Sequence, residues 1–384
     1  MKILVIHNTY QHRGGEDSVV EAEISLLRSH GHEVATYFRH NDDIVAMSHA
    51  SAAQQTLWSS RTMHELAELV RTFRPDVIHA HNTFPLISPS LYWAAAQARV
   101  PVVQTLHNFR LLCPQAMFLR HGKVCEDCLG KLPWRGAVRG CYRGSKAQST
   151  VLAGMVTMHR ALGTWQNKVT RYIALNQFCR NKFIEGGLPA DRLVVKPNFV
   201  DFDAPADGAR AGFLFVGRLS AEKGVDVLVN ATRAVNGAHI RVAGTGPEAA
   251  LLAGLPGVHA LGALGGDDVR AEMSQAMTLV LPSIWYENFP RTLVEAFGCG
   301  LPVIASRIGA LAELVQEGIT GLLFDPGNAQ DLADKMRWAQ AHPDQMAVMG
   351  RNARTLYEAE FTAERNYVQL LNIYNDAIAA GSAN

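Results

Sequence analysis

Short, continuous runs of apolar residues recur along the chain, and amphipathic stretches lie between them. The first run, at residues 2–7, is followed by a loop with two adjacent glycines and by an apolar-periodic stretch from Val19 to Leu27. Continuous apolar runs are typical of parallel strands that are buried on both faces, whereas a 3.6-residue period is typical of helices. The pattern therefore predicts an α/β fold of repeated strand–helix units with doubly wound parallel sheets.

The same pattern predicts two domains. A polar stretch at 201–212, rich in Ala, Asp and Gly, separates the units of the first half from a new strand at Phe213. A chain of 384 residues is long for one hydrophobic core and sufficient for two, so we expect domains at 1–200 and 201–365. The stretch 41–60 shows no clear period, and 329–380 is predicted to be helical. The predicted strands are 2–7, 31–37, 74–82, 101–108, 170–175, 193–201, 213–216, 240–247, 258–262, 277–281, 301–305 and 321–324.

Composition narrows the class of protein. The chain is 48% hydrophobic and 18% charged, as in ordinary globular proteins, and its net charge of +1 argues against a nucleic-acid binder. No apolar run approaches the ~20 residues that a membrane-spanning helix needs. The N-terminus moves directly into a strand pattern without a cleavage signature, and six irregularly spaced cysteines suggest reduced thiols. We therefore expect a cytoplasmic protein.

The stretch 281–300 carries the strongest sign of chemistry. It follows a predicted buried strand, and Pro290 fits the first turn of a helix that glycines at 298 and 300 end. A strand that leads into a helix N-terminus is an anion site, because unpaired N–H groups and the helix dipole point outward there. Glu287 lies in the loop and Glu295 on the helix. Acids beside an anion site suit a sugar nucleotide, although a surface loop and a solvated helix glutamate would give the same pattern.

Polar residues also end two predicted strands of the first half. His81 and Asn82 follow one strand, and His107 and Asn108 follow the next. Open α/β sheets bind ligands at the carboxyl ends of their strands, so these four side chains are expected to line one crevice. The loop that contains Gly14 and Gly15 lacks the Gly-x-Gly-x-x-Gly spacing of dinucleotide binders, so a nicotinamide cofactor gains little support. A simple tight turn is the alternative for this loop, and a structural role is the alternative for His107.

Several motifs together resemble a known family. Glu287 and Glu295, separated by seven residues, resemble the paired glutamates of the family 4 retaining glycosyltransferases, which have the GT-B fold. Arg218 and Lys223, in the loop 217–224, resemble the pair that grips the donor diphosphate in that family. Thr105-Leu-His-Asn108 resembles the family's histidine motif at the donor sugar. The resemblance covers nearly the whole chain and is most specific from Gly217 to Phe324.

The resemblance implies a role for each matching residue. Glu287 would hold hydroxyls of the donor sugar, Glu295 the ribose, and His107 the sugar from the other domain. His107 and Glu287 are thus the implied catalytic residues, and no nucleophile or base is assigned. Asn288-Phe-Pro290 departs from the Gly-Phe-Gly that is frequent in the family, and Pro290 removes one amide donor. The implied donor-binding positions are Gly14, Gly15, Arg218, Lys223, Gly244, Gly246, Asn288, Phe289, Pro290 and Glu295.

The resemblance also implies a fold and a reaction. GT-B proteins have two facing Rossmann-like domains, and a final helix, expected within 366–384, returns to the first. The reaction would transfer a sugar from a nucleotide-diphosphate donor to an acceptor hydroxyl with retention, in polysaccharide or glycolipid assembly. No metal is expected in catalysis, because basic residues and a helix N-terminus balance the phosphate charge. The alternatives are a GT-B epimerase or phosphorylase and a non-catalytic nucleotide-sugar-binding regulator.

A long irregular insertion at 109–145 carries two further expectations. Its four cysteines lie within 29 residues and include one pair with a two-residue gap, so a structural zinc site is one prediction and four unligated thiols are the alternative. Basic residues interleaved with aromatics from Lys131 to Lys146 suit an anionic lipid surface beside a carbohydrate or lipid-linked acceptor, although a solvated basic loop suits the same pattern. The cysteines are Cys113, Cys125, Cys128 and Cys141.

Overall fold

The computed structural model describes residues 1–11, 14–201, 208 and 210–382, and these group into two compact units. The first unit comprises Met1–Phe118, Glu126–Pro197 and Asn366–Asn384, and the second comprises Leu119–Cys125 and Asn198–Arg365. The predicted domain boundary was at 200/201, and the two compact units divide three residues earlier, at 197/198. Most of the predicted linker, 202–207 and 209, lies outside the described residues, as do His12 and Arg13 of the predicted glycine loop.

A six-stranded parallel sheet forms the centre of the first unit, with the strand order β2-β1-β3-β4-β7-β8. Strand order reverses at β1, whose neighbours are β2 and β3, so the carboxyl ends of β1 and β3 flank a topological switch point. Between β4 and β7 the chain forms a short antiparallel hairpin of β5 and β6, which is counted with the second unit. The strands are β1 Lys2–Thr9, β2 Glu33–His40, β3 Val77–Ala80, β4 Val102–Thr105, β5 Leu119–Arg120, β6 Lys123–Val124, β7 Arg171–Ala174 and β8 Leu193–Val195.

Helices cover this sheet, and the last helix of the chain is one of them. Leu370, Ile373 and Tyr374 of that helix, α15, pack with Ile3 and Val5 of β1 in one buried cluster. The helices of this unit are α1 Gly15–Ser29, α2 His49–Leu57, α3 Ser60–Phe73, α4 Ser90–Gln97, α5 Trp134–Arg139, α6 Lys146–Ala161, α7 Thr164–Asn167, α8 Gln177–Glu185 and, at the end of the chain, α15 Ala363–Ser382.

A second six-stranded parallel sheet forms the other unit, with the order β11-β10-β9-β12-β13-β14. Separate buried clusters cover its two faces, one with α9 and α13 and the other with α11 and α14. Its strands are β9 Phe213–Val216, β10 Ile240–Ala243, β11 Val258–Gly262, β12 Thr278–Leu281, β13 Val303–Ser306 and β14 Gly321–Phe324. Its helices are α9 Val225–Arg233, α10 Gly266–Gln275, α11 Arg291–Gly298, α12 Gly309–Leu314, α13 Ala329–Ala341 and α14 Pro343–Glu360.

The prediction of two doubly wound α/β sheets is confirmed, and three local differences have physical causes. Residues 41–60 contain α2, which Ser48 caps at its N-terminus. The predicted helical stretch 329–380 is three helices, because Pro343 begins a new one and residues 361–362 interrupt the next. Pro290 lies immediately before α11 and not inside its first turn. In the described part of the chain, no helix is both long enough and apolar enough to cross a membrane.

Candidate functional site

Three hydrogen-bond donors converge on one oxygen of Glu287 in the loop that follows β12. Lys223 Nζ lies 2.5 Å from Glu287 Oε1, Ser283 Oγ lies 2.8 Å away, and Trp285 Nε1 lies 3.3 Å away. The ammonium of Lys223 also lies 5.6 Å from the centre of the Trp285 ring. Among the described residues no donor contacts the second oxygen, Oε2, so the carboxylate is fixed in orientation with one oxygen available to a ligand.

Close backbone approach places Lys223 beside this loop. Gly224 follows Lys223 with a positive φ of 68°, and a Cβ built on it would lie 2.0 Å from the carbonyl oxygen of Pro282. Only glycine fits that position, because any larger residue would push the two loops apart. Next to it, the amide of Ile284 donates to the carbonyl of Glu222 at 3.0 Å. The close approach at Gly224 and this hydrogen bond thus hold the loop after β9 against the loop after β12.

A third loop, which follows β10, joins the same edge of the sheet. Gly244 has a φ of 147°, and a Cβ there would lie 1.8 Å from the carbonyl oxygen of Gly217. A Cβ on Gly246 would lie 2.2 Å from the carbonyl oxygen of Leu219. The amide of Leu219 donates to the carbonyl of Thr245 at 2.9 Å. Both predicted glycines are therefore needed for packing between loops at the carboxyl ends of adjacent strands.

Arg218 and Glu295 are two further predicted residues of the second unit. The Arg218 side chain is exposed, and within the described ranges no side chain pairs with its guanidinium. Glu295 lies on α11, where Arg291 Nε contacts its Oε1 at 2.8 Å. Burial raises the pKa of Glu295, and the charge of Arg291 and the hydrogen bond from it oppose that shift. No side chain caps the N-terminus of α11, so its first N–H groups face outward, as an anion site requires.

Of the three residues after Glu287, one has a clear structural role. Phe289 packs against the buried cluster of its unit, and its ring centre lies 6.3 Å from that of Phe361. Pro290 occupies the position before α11 and supplies no amide donor there, as the sequence indicated.

In the first unit, the predicted polar residues line one small cavity. The cavity has a volume of about 50 Å³ and lies at the carboxyl ends of β3 and β4. His81, Asn82, His107 and Asn108 are all among its lining residues, together with Glu16. The structure thus brings the four strand-end residues together as the sequence predicted. Gly14 and Gly15 lie near the end of β1, where a Cβ on Gly15 would meet nothing within 4 Å.

The histidines of this cavity are neutral and linked. His81 Nδ1 lies 2.9 Å from His107 Nε2. The pKa of His107 is lowered well below its usual value, first by burial and then by His7, His79 and Lys196. Burial also lowers the pKa of His81 well below the usual value, with further contributions from neighbouring histidines. The imidazole of His107 is therefore uncharged at pH 7.

Glu16 is a residue of this cavity that the sequence analysis missed. Tyr10 donates a hydrogen bond from its hydroxyl to Glu16 Oε2 at 2.8 Å, while Glu16 Oε1 is buried without a hydrogen-bond partner in the described structure. Burial raises the pKa of Glu16 to about 7; the Tyr10 hydrogen bond and Arg110 oppose the shift, and the nearby Asp17 adds to it. The sequence offered one indication of this residue, because Glu16 directly follows two glycines at the start of a helix.

Three of the four cysteines of the insertion lie in the first unit, and Cys125 lies in the second. No disulfide joins the cysteines of the described chain. Those of the first unit, Cys113, Cys128 and Cys141, do not bring three sulfur atoms within 4.8 Å of one another; in the described residues only Glu23, His79 and His81 form such a group. Lys196 binds Glu23 directly, which does not suit a cation. The zinc site stays a prediction.

A basic pair and two glutamates lie at the strand ends of the second doubly wound sheet, and two such parallel sheets with covering helices are the architecture of the GT-B class. The model of "Glycosyltransferase Family 4" matches residues 13–204, and the model of "Glycosyl transferases group 1" matches residues 210–342. A GDP-mannose-dependent alpha-mannosyltransferase of Corynebacterium glutamicum is 32% identical over 325 residues, which are 82% of this chain and 70% of that protein. The chain belongs to glycosyltransferase family 4.

Further similarities agree with this assignment. The sulfoquinovosyl transferase SQD2 of Arabidopsis thaliana is 26% identical over 300 residues, 75% of this chain and 54% of that protein. Matches to two other curated relatives cover 42% and 58% of their lengths, so the chain spans about half the length of these relatives. The crystal structure of HepE from Anabaena with UDP has a TM-score of 0.68 at 18% identity, covering 97% of this chain and 99% of that one. This similarity confirms the GT-B fold.

Proposed function

We propose that this protein is a retaining glycosyltransferase that transfers a sugar from a nucleoside-diphosphate sugar to an acceptor hydroxyl. The observation that carries the proposal is the meeting of Lys223 and Glu287 at the carboxyl edge of the second sheet, beside the exposed Arg218. Cations suit a diphosphate, and a fixed carboxylate oxygen suits sugar hydroxyls. Family membership supports the same reaction, since relatives of this family are named as glycosyltransferases.

The donor would lie across these loops in a defined order. Arg218 and Lys223 bind the diphosphate, with the uncapped N-terminus of α11 as a third source of positive potential. Glu287 accepts hydrogen bonds from sugar hydroxyls through Oε2, and Glu295 accepts from the ribose. Lys223 is paired with Glu287, so an arriving diphosphate would compete for the same ammonium. These groups also stabilise the negative charge that develops on the leaving phosphate.

The donor base is best identified by a binding screen. The Anabaena structure contains UDP and the Corynebacterium relative is named for GDP-mannose, so relatives differ in base. Thermal unfolding should be measured with UDP-, GDP-, ADP- and dTDP-sugars. A specific donor at 100 times its Kd stabilises the folded protein by about 2.7 kcal/mol. Failure of all four donors to raise the unfolding temperature at millimolar concentration would contradict donor binding.

Product analysis separates the alternatives. With donor alone, an epimerase would change the sugar, whereas a transferase would leave it intact apart from slow hydrolysis. A phosphorylase would require inorganic phosphate. A non-catalytic binder would raise its unfolding temperature with donor and release no nucleoside diphosphate in the presence of any acceptor. We expect release of nucleoside diphosphate that depends on the acceptor.

The acceptor side of the proposal includes contact with an anionic membrane surface. Residues 131–146 contain five Lys and Arg and no Asp or Glu, and two of these five, Arg135 and Arg139, pair with Asp127. Within this stretch Leu132, Trp134 and Val138 are 53%, 58% and 61% exposed, so an apolar group stands in a basic surrounding. Such a group fits a lipid-linked acceptor at a headgroup layer. Co-sedimentation with phosphatidylglycerol vesicles at low salt tests this membrane contact. We expect wild type to sediment with the vesicles and Trp134→Ser to lose binding. Equal recovery of wild type and Trp134→Ser in the supernatant would contradict the membrane contact.

A further inference from the structure

Two aromatic side chains of the first unit contact one arginine. The guanidinium carbon of Arg110 lies 4.3 Å from the centre of the Phe84 ring and 5.4 Å from the centre of the Tyr142 ring. The two rings meet edge to face, with their centres 5.9 Å apart. Arg110 and Phe84 also line the cavity at the ends of β3 and β4. Because arginine stacks on aromatic rings through its flat face, the N–H groups at its edge stay available to other partners.

Most of the donors of this guanidinium are unused. Arg110 Nη1 donates to the carbonyl of Pro114 at 3.2 Å, and in the described structure the guanidinium makes no other hydrogen bond. The charge of Arg110 acts on Glu16, but among the described residues the two side chains form no ion pair. Burial raises the pKa of Glu16 to about 7, so this carboxyl is protonated in a large part of the molecules at neutral pH. The positive charge of Arg110 is therefore incompletely balanced.

A second arginine contacts the same tyrosine. The guanidinium carbon of Arg143 also lies 5.4 Å from the centre of the Tyr142 ring, so the two guanidinium carbons are at most twice that distance apart. The side chain of Arg143 is exposed, and within the described ranges no acidic side chain pairs with it. Two positive charges at this separation repel each other, and an anion that contacts both removes the repulsion. The pair therefore favours an anionic ligand.

An exposed apolar surface adjoins this pair of arginines. The helix α5 packs on Pro114, because a Cβ built on Gly136 would lie 2.8 Å from Pro114 Cγ. Pro114 is also the residue whose carbonyl accepts the hydrogen bond from Arg110. Trp134 and Val138 belong to α5, and both side chains are more than half exposed. One proline thus connects the stacked arginine to an apolar surface, a combination that suits a ligand with an anionic head and an apolar chain.

We propose that Arg110, Tyr142 and Arg143 form a binding site for the phosphate of an amphiphilic ligand whose apolar chain lies on Trp134 and Val138. A phosphate monoester carries about −1.5 to −2 charge and three acceptor oxygens, which is enough for two guanidinium groups, whereas a carboxylate carries a single charge. The assignment of this ligand as the sugar acceptor rests on the proposed function. The site contributes affinity and not chemistry, so a hydroxyl acceptor without phosphate can still react at high concentration.

Calorimetric titration of the full chain at low salt, without donor, tests the ligand class with three probes. Decyl phosphate has the anionic head and the apolar chain, inorganic phosphate has only the head, and decyl glucoside has the same chain with a neutral head. We expect decyl phosphate to bind at least about tenfold more tightly than either of the others. Equal affinity for decyl phosphate and inorganic phosphate would overturn the apolar contact. Equal affinity for decyl phosphate and decyl glucoside would overturn the phosphate site.

Two variants test the residues. Arg143→Ala should weaken decyl phosphate binding about tenfold, because a charge-assisted contact is lost. Arg99→Ala is the matched control and should bind as wild type does. Arg99 is another exposed arginine of the first unit, and its φ of 57° is close to the 52° of Arg143, so both variants place alanine in a similar backbone conformation. Arg110→Met keeps an unbranched side chain between the rings and should weaken binding as Arg143→Ala does. Wild-type affinity in both Arg143→Ala and Arg110→Met would overturn the proposal.

A comparison with the donor loops separates this inference from the proposed function. Arg218→Ala should keep the wild-type affinity for decyl phosphate, and Arg143→Ala should keep the wild-type affinity for UDP and GDP. Loss of decyl phosphate binding in Arg218→Ala, with retention in Arg143→Ala, would assign the phosphate to the donor loops and overturn the proposal. If the binding results are as expected but no sugar transfer is found, the proposed function fails and the phosphate site stands.

Discussion

Lys223 and Arg218 differ in a way that makes their alanine variants distinguishable. Lys223 Nζ lies 2.5 Å from Glu287 Oε1, and its side chain is 27% exposed. Arg218 is exposed, and in the described chain no side chain pairs with it. Arg218→Ala should therefore remove only a contact to the donor diphosphate, whereas Lys223→Ala should remove the same kind of contact together with an ion pair.

The magnitudes follow from these contacts. A charge-assisted hydrogen bond contributes about 1.5–3 kcal/mol, so either variant should weaken nucleoside-diphosphate binding about 10- to 100-fold. Lys223→Ala should also lower the free energy of unfolding by about 1–2 kcal/mol, which is less than for a fully buried pair because the lysine is partly hydrated. Ser283 and Trp285 still hold Glu287 in that variant. Arg218→Ala should stay within about 0.5 kcal/mol of wild type.

Calorimetric titration with UDP and GDP measures the affinity, and thermal unfolding of the unliganded protein measures the stability. Arg233→Ala is the matched control, since it removes another exposed arginine of the same unit, on α9, and should change neither quantity. Wild-type affinity in both Arg218→Ala and Lys223→Ala would refute the diphosphate assignment. An unchanged unfolding temperature in Lys223→Ala would refute only the stabilising contribution of the ion pair and would leave the diphosphate assignment untouched.

Three further residues and the insertion give separate expectations. Glu295→Gln should weaken binding of the free nucleoside diphosphate about tenfold by calorimetry; equal affinity would exclude the ribose contact. Glu287→Gln should lower the transfer rate at least about tenfold while free nucleoside-diphosphate affinity stays within about twofold; the reverse would exclude its role at the sugar. The pKa of Glu16 is raised from 4.5 to about 7. The carboxyl of Glu16 therefore stays protonated to a higher pH in the folded state than in the unfolded state. Wild-type stability should accordingly fall as the pH rises from 4.5 to about 7. Glu16→Gln should remove this part of the fall in denaturant unfolding, and identical pH profiles would contradict it. Metal analysis of protein purified without chelators should find near-stoichiometric zinc if Cys125 and Cys128 belong to a clip, and active protein without zinc would exclude it.

Strands of the second unit were predictable because each is a short apolar run with a clear end. Phe213–Val216 lies between two glycines, and the structure places β9 at the predicted residues. The helix α2 was not predictable from periodicity, because its Ala, Ser and Gln give no apolar stripe. It is held by tertiary contacts instead: His159 on α6 contacts the carbonyl of Leu57 at 2.9 Å.

The candidate site was predictable where its residues are local in sequence. Glu287 and Glu295 lie eight positions apart, and their loop and helix were visible in the pattern. Ser283 and Trp285 could have been found with them, because alternate residues of an extended segment point to the same side. The burial of Lys196 could not have been predicted, because its partner Glu23 is 173 residues away and a lone lysine is normally solvated. Only the folded sheet shows that this lysine is buried.

Acceptor-dependent transfer with retained configuration is the most direct test of the proposed activity. The donor that raises the unfolding temperature should be incubated with the protein and octyl glucoside or octyl mannoside as hydroxyl acceptors. Proton NMR of the purified product gives its anomeric configuration. We expect a glycoside with the same anomeric configuration as the donor from wild type, and at least about tenfold less from Glu287→Gln. A product of inverted configuration, or equal product from wild type and Glu287→Gln, would contradict the account.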